Sequence, residues 1–194
     1  MYHFFYKISL IMAYLGGAML SALIVLTGLS VAGRSLNGFL HSDWMDRVAP
    51  GFSEWALGIG VGPINGDFEL IEAGIAFAVF AFLPLCQLTG GHASVDVFTN
   101  LMSDRVNRAL RLITELLFAA VLVLIAVQLF AGMQSKFRSG QTTFLVEFPV
   151  WWAYALSLTG AVVAAAVGVY VAVTRLRETV TGQQILPVDL GADH

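Results

Sequence analysis

Apolar positions along this chain gather into four long blocks rather than into stripes or alternations. The blocks cover residues 8–32, 68–88, 109–133 and 150–174. Each is about as long as the ~20 residues a helix needs to cross the hydrocarbon core of a bilayer. They lack the polar stripe that a helix on a water-soluble core would carry. The pattern predicts an all-α integral membrane protein, a four-transmembrane-helix bundle with both termini on one side. It forms a single domain over residues 1–177, followed by a flexible polar tail, 178–194, with too little apolar surface to order itself.

The connections between the blocks differ in character. The first, Gly33–Asp67, spaces Trp44, Met45, Val48, Phe52 and Trp55 almost helically, but Pro50 and Gly51 interrupt it. At most two short helical turns are expected there, either lying in the membrane interface or packed as an ordinary loop over the helix ends. In the second, Val97, Phe98, Leu101, Met102, Val106, Ala109 and Leu110 recur with helical period, opposite Asn100, Asp104, Arg105, Arg108 and Arg111. This predicts a short amphipathic interfacial helix over 94–111, between helices 2 and 3, whose arginines meet anionic membrane lipids. The third, Gln134–Phe148, is short. Pro149 suits the first turn of the fourth helix, and Trp151, Trp152 and Tyr154 mark an interfacial aromatic belt.

Composition narrows the reading further. Hydrophobic residues make up 58% of the 194 and charged ones only 12%, about half the charge of an ordinary soluble domain. A net charge of -3 does not suggest nucleic acid as a partner. The single cysteine, Cys86, cannot form an internal disulfide and reads as a buried apolar thiol. No nucleophile motif, phosphate loop or metal-ligand spacing occurs, so neither an enzyme, a cofactor nor a metal is expected. The first block is about twice the length of a signal-peptide core and reads as an uncleaved helix.

Six basic residues (Lys7, Arg105, Arg108, Arg111, Arg175 and Arg177) fall on one side of the predicted membrane. Four (Arg34, Arg47, Lys136 and Arg138) fall on the other. The positive-inside rule then places both termini in the cytoplasm.

Polar residues within the blocks are candidates for intramembrane chemistry. Glu69 and Glu72 open the second block and suit the positive end of a helix dipole. Glu115 has Arg111 four residues before it, an available helical pair. Gln87 and Gln128 can hydrogen-bond between helices. Gly160, Ala164 and Gly168 form a small-residue face on the fourth block, as Gly17 and Ser21 do on the first, and either lets another helix approach. Pro84 is expected to kink or end the second helix.

Four local stretches carry a family likeness. They are Gly33-Arg34-Ser35, the run Gly66-Asp67-Phe68-Glu69-Leu70-Ile71-Glu72, the run Gly90-Gly91-His92-Ala93-Ser94-Val95-Asp96-Val97, and Phe148-Pro149-Val150-Trp151-Trp152. In order and spacing the chain resembles the small permease subunit, of DctQ type, of tripartite ATP-independent periplasmic (TRAP) transporters. It departs from the family where Thr89 and Gly90 stand in place of a basic residue. Read on chemistry alone, the paired glycines let the chain turn at a helix exit. In a helical turn His92 and Asp96 would face each other and stabilise it.

The resemblance implies a bacterial inner-membrane protein partnered by a large DctM-type permease subunit and a periplasmic substrate-binding protein. Uptake would be driven by an ion gradient and serve a small, carboxylate-containing solute. The small subunit would scaffold the large one; independently of the resemblance, Arg47, Lys136 and Arg138 are the exposed charges expected to help dock the binding protein, because charged rims govern encounter. A different class, the membrane anchor of a redox enzyme, would need axial histidines within the spans, and the spans hold none.

Overall fold

The computed structural model describes residues 1–92, 103–182 and 185–186. Six helices account for most of them: α1 (Tyr2–Leu40), α2 (Asp43–Val48), α3 (Pro50–Gly58), α4 (Asp67–Thr89), α5 (Asp104–Ser139) and α6 (Trp151–Thr181). Four of these, α1, α4, α5 and α6, are long and apolar enough to cross a membrane. They run up, down, up and down. The end of α1 meets the start of α4, and Tyr2 and Phe5 of α1 pack with Leu88 of α4 and Val171 of α6 at the opposite end.

The helices overrun the apolar blocks that predicted them, because hydrogen-bonded helix continues past the hydrocarbon boundary wherever nothing breaks it. At a rise of 1.5 Å per residue the 39-residue α1 is about 58 Å long, nearly twice a bilayer core. Its last turns absorb the beginning of the first connection. The rest of that connection is more ordered than the Pro50–Gly51 pair suggests. The break falls at Ala49, and Pro50 opens α3, where its missing N–H has no helical partner to lose. Ser42 caps α2 by accepting the Met45 N–H. Leu40, Met45 and Ala56 form a small core under this cap, and the Ser53 hydroxyl donates to the Leu40 carbonyl at 2.6 Å. Trp44, Phe52 and Trp55 stay exposed.

The first half of the predicted interfacial helix over 94–111 falls on residues outside those described. Its later part, from Asp104, is the opening of α5 itself. Pro84 neither ends nor interrupts α4, which continues through it to Thr89 with the proline ring fully buried. The left-handed conformation of Gly90 (φ 65°) ends the helix instead. Pro149 lies just before α6 rather than in its first turn, and bridges to Thr142 across a narrow loop. The tail also needs correction. Residues 178–181 belong to α6, and Leu186 returns to the core beside Leu88, Val167 and Val171. The Glu178 carboxylate accepts the Ile185 and Leu186 N–H groups, both at 2.6 Å, and fixes that return.

Helix α6 is the centre of the bundle. It packs against α4 on one side and α5 on the other, while α1 packs chiefly on α4. The small-residue face makes this possible. A Cβ on Gly160 would stand 2.9 Å from the Phe80 Cβ and 3.0 Å from the Phe80 carbonyl carbon of α4. One on Gly168 would meet Leu122 of α5 at 3.1 Å. The face is therefore filled by the chain's own helices and is not open to another subunit. On α1 the glycines that pack are Gly16, against Ala81, and Gly33, against the Gly62 carbonyl, whereas Gly17 faces open space.

Candidate functional site

Polar side chains gather at the two ends of α4 and leave its middle to Phe77, Ala78 and Ala81. The Asp67 end is built around two carboxylates. Gly66 enters α4 with φ 77°, and any side chain there would run into Val146, so a glycine is required on both counts. Asp67 follows, 7% exposed. One of its oxygens accepts the Ser30 hydroxyl at 2.5 Å and the other its neighbour Phe68 N–H at 2.9 Å. Arg34 stands 3.7 Å from the carboxylate, with its guanidinium 5.8 Å from the centre of the Phe68 ring. The Ser30 oxygen in turn accepts the Ile64 N–H at 3.3 Å. These bonds join the end of α1 to the start of α4.

Glu69 does more than complement the helix dipole. Its carboxylate accepts three successive backbone N–H groups, from Phe144 at 2.8 Å, Leu145 at 2.7 Å and Val146 at 2.9 Å. Cross-loop bonds from Thr143 N–H to the Phe148 carbonyl and from Val150 N–H to the Gln141 carbonyl close the neck of the same loop. Glu147 adopts φ 58° inside it, a left-handed conformation that costs about 1 kcal/mol or more away from glycine. A folded loop that presents three N–H groups to one anion repays that strain. Glu72, one turn further along α4, is exposed and has no ion-pair partner among the described residues.

The basic residues expected to dock a partner share this end. Arg47 bonds the Asp43 carbonyl through Nε at 3.0 Å, and Lys136 bonds Gln141 at 2.7 Å. Arg138 is exposed on the last turn of α5. Trp151 packs edge-on against Phe137 and Trp152.

The other end of α4 carries a chain of side-chain bonds. Gly91 donates its N–H to the Cys86 carbonyl at 3.0 Å, which turns His92 back along the helix. His92 Nε2 lies 2.8 Å from Gln87 Oε1, and its Nδ1 lies 3.4 Å from Cys86 Sγ. An amide oxygen only accepts, so Nε2 carries the proton and Nδ1 is free to accept the Cys86 thiol. The Gln87 amide donates onward to Glu115 of α5. Donors therefore point in one direction, from Cys86 through His92 and Gln87 to Glu115. Gln87 is 2% exposed with both ends of its amide bonded. The His92 ring also lies flat on Phe118, 4.8 Å between centres.

Sequence reasoning singled out Gly91, His92 and Glu115 separately, and the structure brings them together through Gln87. Asp96, the residue expected to face His92, lies outside the described residues. Gln128 is exposed on α5 instead of bonding another helix. Asp67 and Ser30 escaped notice as a pair. In the sequence Asp67 merely ends the first connection, and Ser30 is 37 residues away in an apolar block. Among the described residues no group of three histidine, cysteine or acidic side chains is arranged to hold a metal ion.

Comparison with known proteins gives one match. A family model described as "Tripartite ATP-independent periplasmic transporters, DctQ component" matches residues 59–178. That stretch contains α4, α5, nearly all of α6 and the polar residues just described except Ser30, Arg34 and Arg47. No curated protein and no solved structure matches the chain.

Proposed function

The chain belongs to the DctQ family of TRAP transporter components, and on that premise we propose that it is the scaffold of the permease rather than the transport path. As a DctQ protein it is the small, multi-pass membrane subunit of such a transporter. In the proposed arrangement it sits in the bacterial inner membrane with both termini in the cytoplasm. A DctM-type large subunit lies beside it in the bilayer. The Asp67 end faces the periplasm, where Arg47, Lys136 and Arg138 help a substrate-binding protein to dock, since rim charges govern encounter more than affinity. The system imports a small carboxylate-containing solute at the expense of an ion gradient.

The family match carries this reading, and the architecture supports it. Transport sites are typically built from unwound helices whose backbone lines a midplane cavity. Here α4, α5 and α6 run unbroken, and their polar side chains sit at the ends, largely tied to the chain's own groups. The small-residue face being occupied, the surface left for a large subunit is the exposed apolar side of α1 and α5, including Ile24, Leu117, Leu124 and Val127.

Reconstitution tests the proposal. The chain alone in liposomes should carry no ion-driven solute, and adding the large subunit and the binding protein should restore uptake. Uptake by the chain alone would overturn the scaffold reading.

A further inference from the structure

Between α4, α5 and α6, at the Asp67 end, the chain forms a partly open cavity of about 580 Å³. The loop 141–150 roofs it. Its wall is mainly apolar, with Ala73 and Ala76 from α4, Leu129 from α5 and Tyr154 from α6. Several polar groups line it without a hydrogen bond among the described residues, the Thr143 hydroxyl of the roof included. Among them are the Glu72 carboxylate and the Ser157 hydroxyl, the latter on a residue only 2% exposed. Glu69 also lines the cavity, but its oxygens are already taken by the loop N–H groups.

We propose that this cavity binds the head group and glycerol region of an amine-bearing phospholipid. The lipid ammonium pairs with Glu72, and a phosphate or ester oxygen accepts the Ser157 hydroxyl. Three observations lead there. A carboxylate on a membrane span is costly unless paired, and the bilayer itself supplies ammonium groups at this depth. Glu72 is the sixth residue of α4, about 8 Å below its start at 1.5 Å per residue, and Trp151 and Trp152 mark the head-group level at the same end. The volume falls in the several-hundred-Å³ range of sites for whole ligands, and one basic side chain from a partner would leave most of it empty. The apolar wall suits the upper part of an acyl chain.

Native mass spectrometry of the delipidated full chain, titrated with phosphatidylethanolamine or phosphatidylglycerol of identical acyl chains, tests this. The first ethanolamine lipid should bind about tenfold more tightly, the worth of one charge-assisted hydrogen bond. Glu72→Gln should abolish the preference. Ser157→Ala should weaken ethanolamine-lipid binding while keeping some preference, and Arg138→Ala should change nothing. Circular dichroism and gel filtration verify that each variant is folded. Equal binding of the two lipids by the native chain, or an undiminished preference in Glu72→Gln, overturns the proposal. So does a Glu72→Cys variant, in a Cys86→Ser background, that a maleimide–succinimidyl ester reagent joins to a lysine of a co-expressed large subunit in membranes while the native chain retains no lipid.

Discussion

The two ends of α4 solve the same problem in opposite ways. Both must satisfy polar groups where a helix leaves an apolar environment. At the Asp67 end the acceptors are carboxylates and most donors are backbone N–H groups, from Phe68, Phe144, Leu145 and Val146. At the Gln87 end the bonds that link α4 to α5 run through side chains, passed from Cys86 to Glu115 through His92 and Gln87. Backbone donors have fixed positions, so the first arrangement imposes a shape on the loop 141–150. A side-chain relay tolerates rotamer changes but fails as a unit when its middle is removed. The Asp67 end is therefore the shaped surface, suited to presenting a loop to a partner. The Gln87 end is a clamp that holds α4 to α5, two helices that otherwise touch mainly through α6.

Breaking the comparison at its buried charge should cost most. Asp67→Ala leaves the Ser30 hydroxyl without its acceptor and Arg34 without its counter-charge. Removing the acceptor of a charged hydrogen bond costs about 1.5–3 kcal/mol, and thermal unfolding in detergent should show a drop of several degrees. Asp67→Asn keeps the Ser30 bond and should recover part of that loss. Equal losses for the two variants would show that the charge, and not the bond, holds α1 to α4.

Gln87→Leu comes next. It preserves volume and burial but disconnects His92 from Glu115 in one step. The expected loss is about 1–2 kcal/mol, with the further signature that Gln87→Leu and His92→Phe together cost little more than either alone. Simple additivity in that double-mutant cycle would mean that the relay is three independent contacts.

How much of this contrast was legible in the sequence follows from what each end is made of. The blocks of apolar residues were enough to predict four spans, because length and the lack of charge are one-dimensional properties. The small-residue face was visible too, but its partner was not. Spacing says that Gly160 and Gly168 share a face, while only the packed bundle shows Phe80 and Leu122 filling it. His92 and Glu115 stood out as polar residues near or within apolar blocks, yet the bond between them runs through Gln87, whose role depends on how α4 and α5 are placed. Glu69 illustrates the deepest limit. A glutamate in a helix's first turn is explained by the dipole alone, so nothing in the sequence asks for the loop 75 residues later that donates to it.

Glu69→Gln sharpens the comparison from the loop's side. An amide nitrogen cannot accept, so at least one of the three N–H groups loses its partner. Amide exchange at Phe144, Leu145 and Val146 should accelerate, while exchange in the middle of α6 stays unchanged. Acceleration spread equally over α6 would show that the loop and the helix open together, and the Asp67 end would then not be a separately shaped surface.

The smallest perturbation asks which end faces out, without disturbing either. Cys86 is first replaced by serine, which can still donate to His92. A cysteine is then placed at Asn65, exposed in the turn before Gly66, or at Ser103, exposed just before α5. Neither side chain takes part in the bonds at its end of α4, so both variants should fold and express as the parent does. The basic residues at the Asp67 end number four against six elsewhere, and the positive-inside rule turns that difference into an orientation. A membrane-impermeant maleimide should therefore label Asn65→Cys in intact cells, and Ser103→Cys only after the membrane is opened. The reverse pattern would put the shaped loop in the cytoplasm and leave Arg47, Lys136 and Arg138 unable to meet a periplasmic partner. Labelling of both sites in intact cells would mean that the chain inserts in two orientations, a result the narrow margin of basic residues makes worth measuring in the presence and absence of the large subunit.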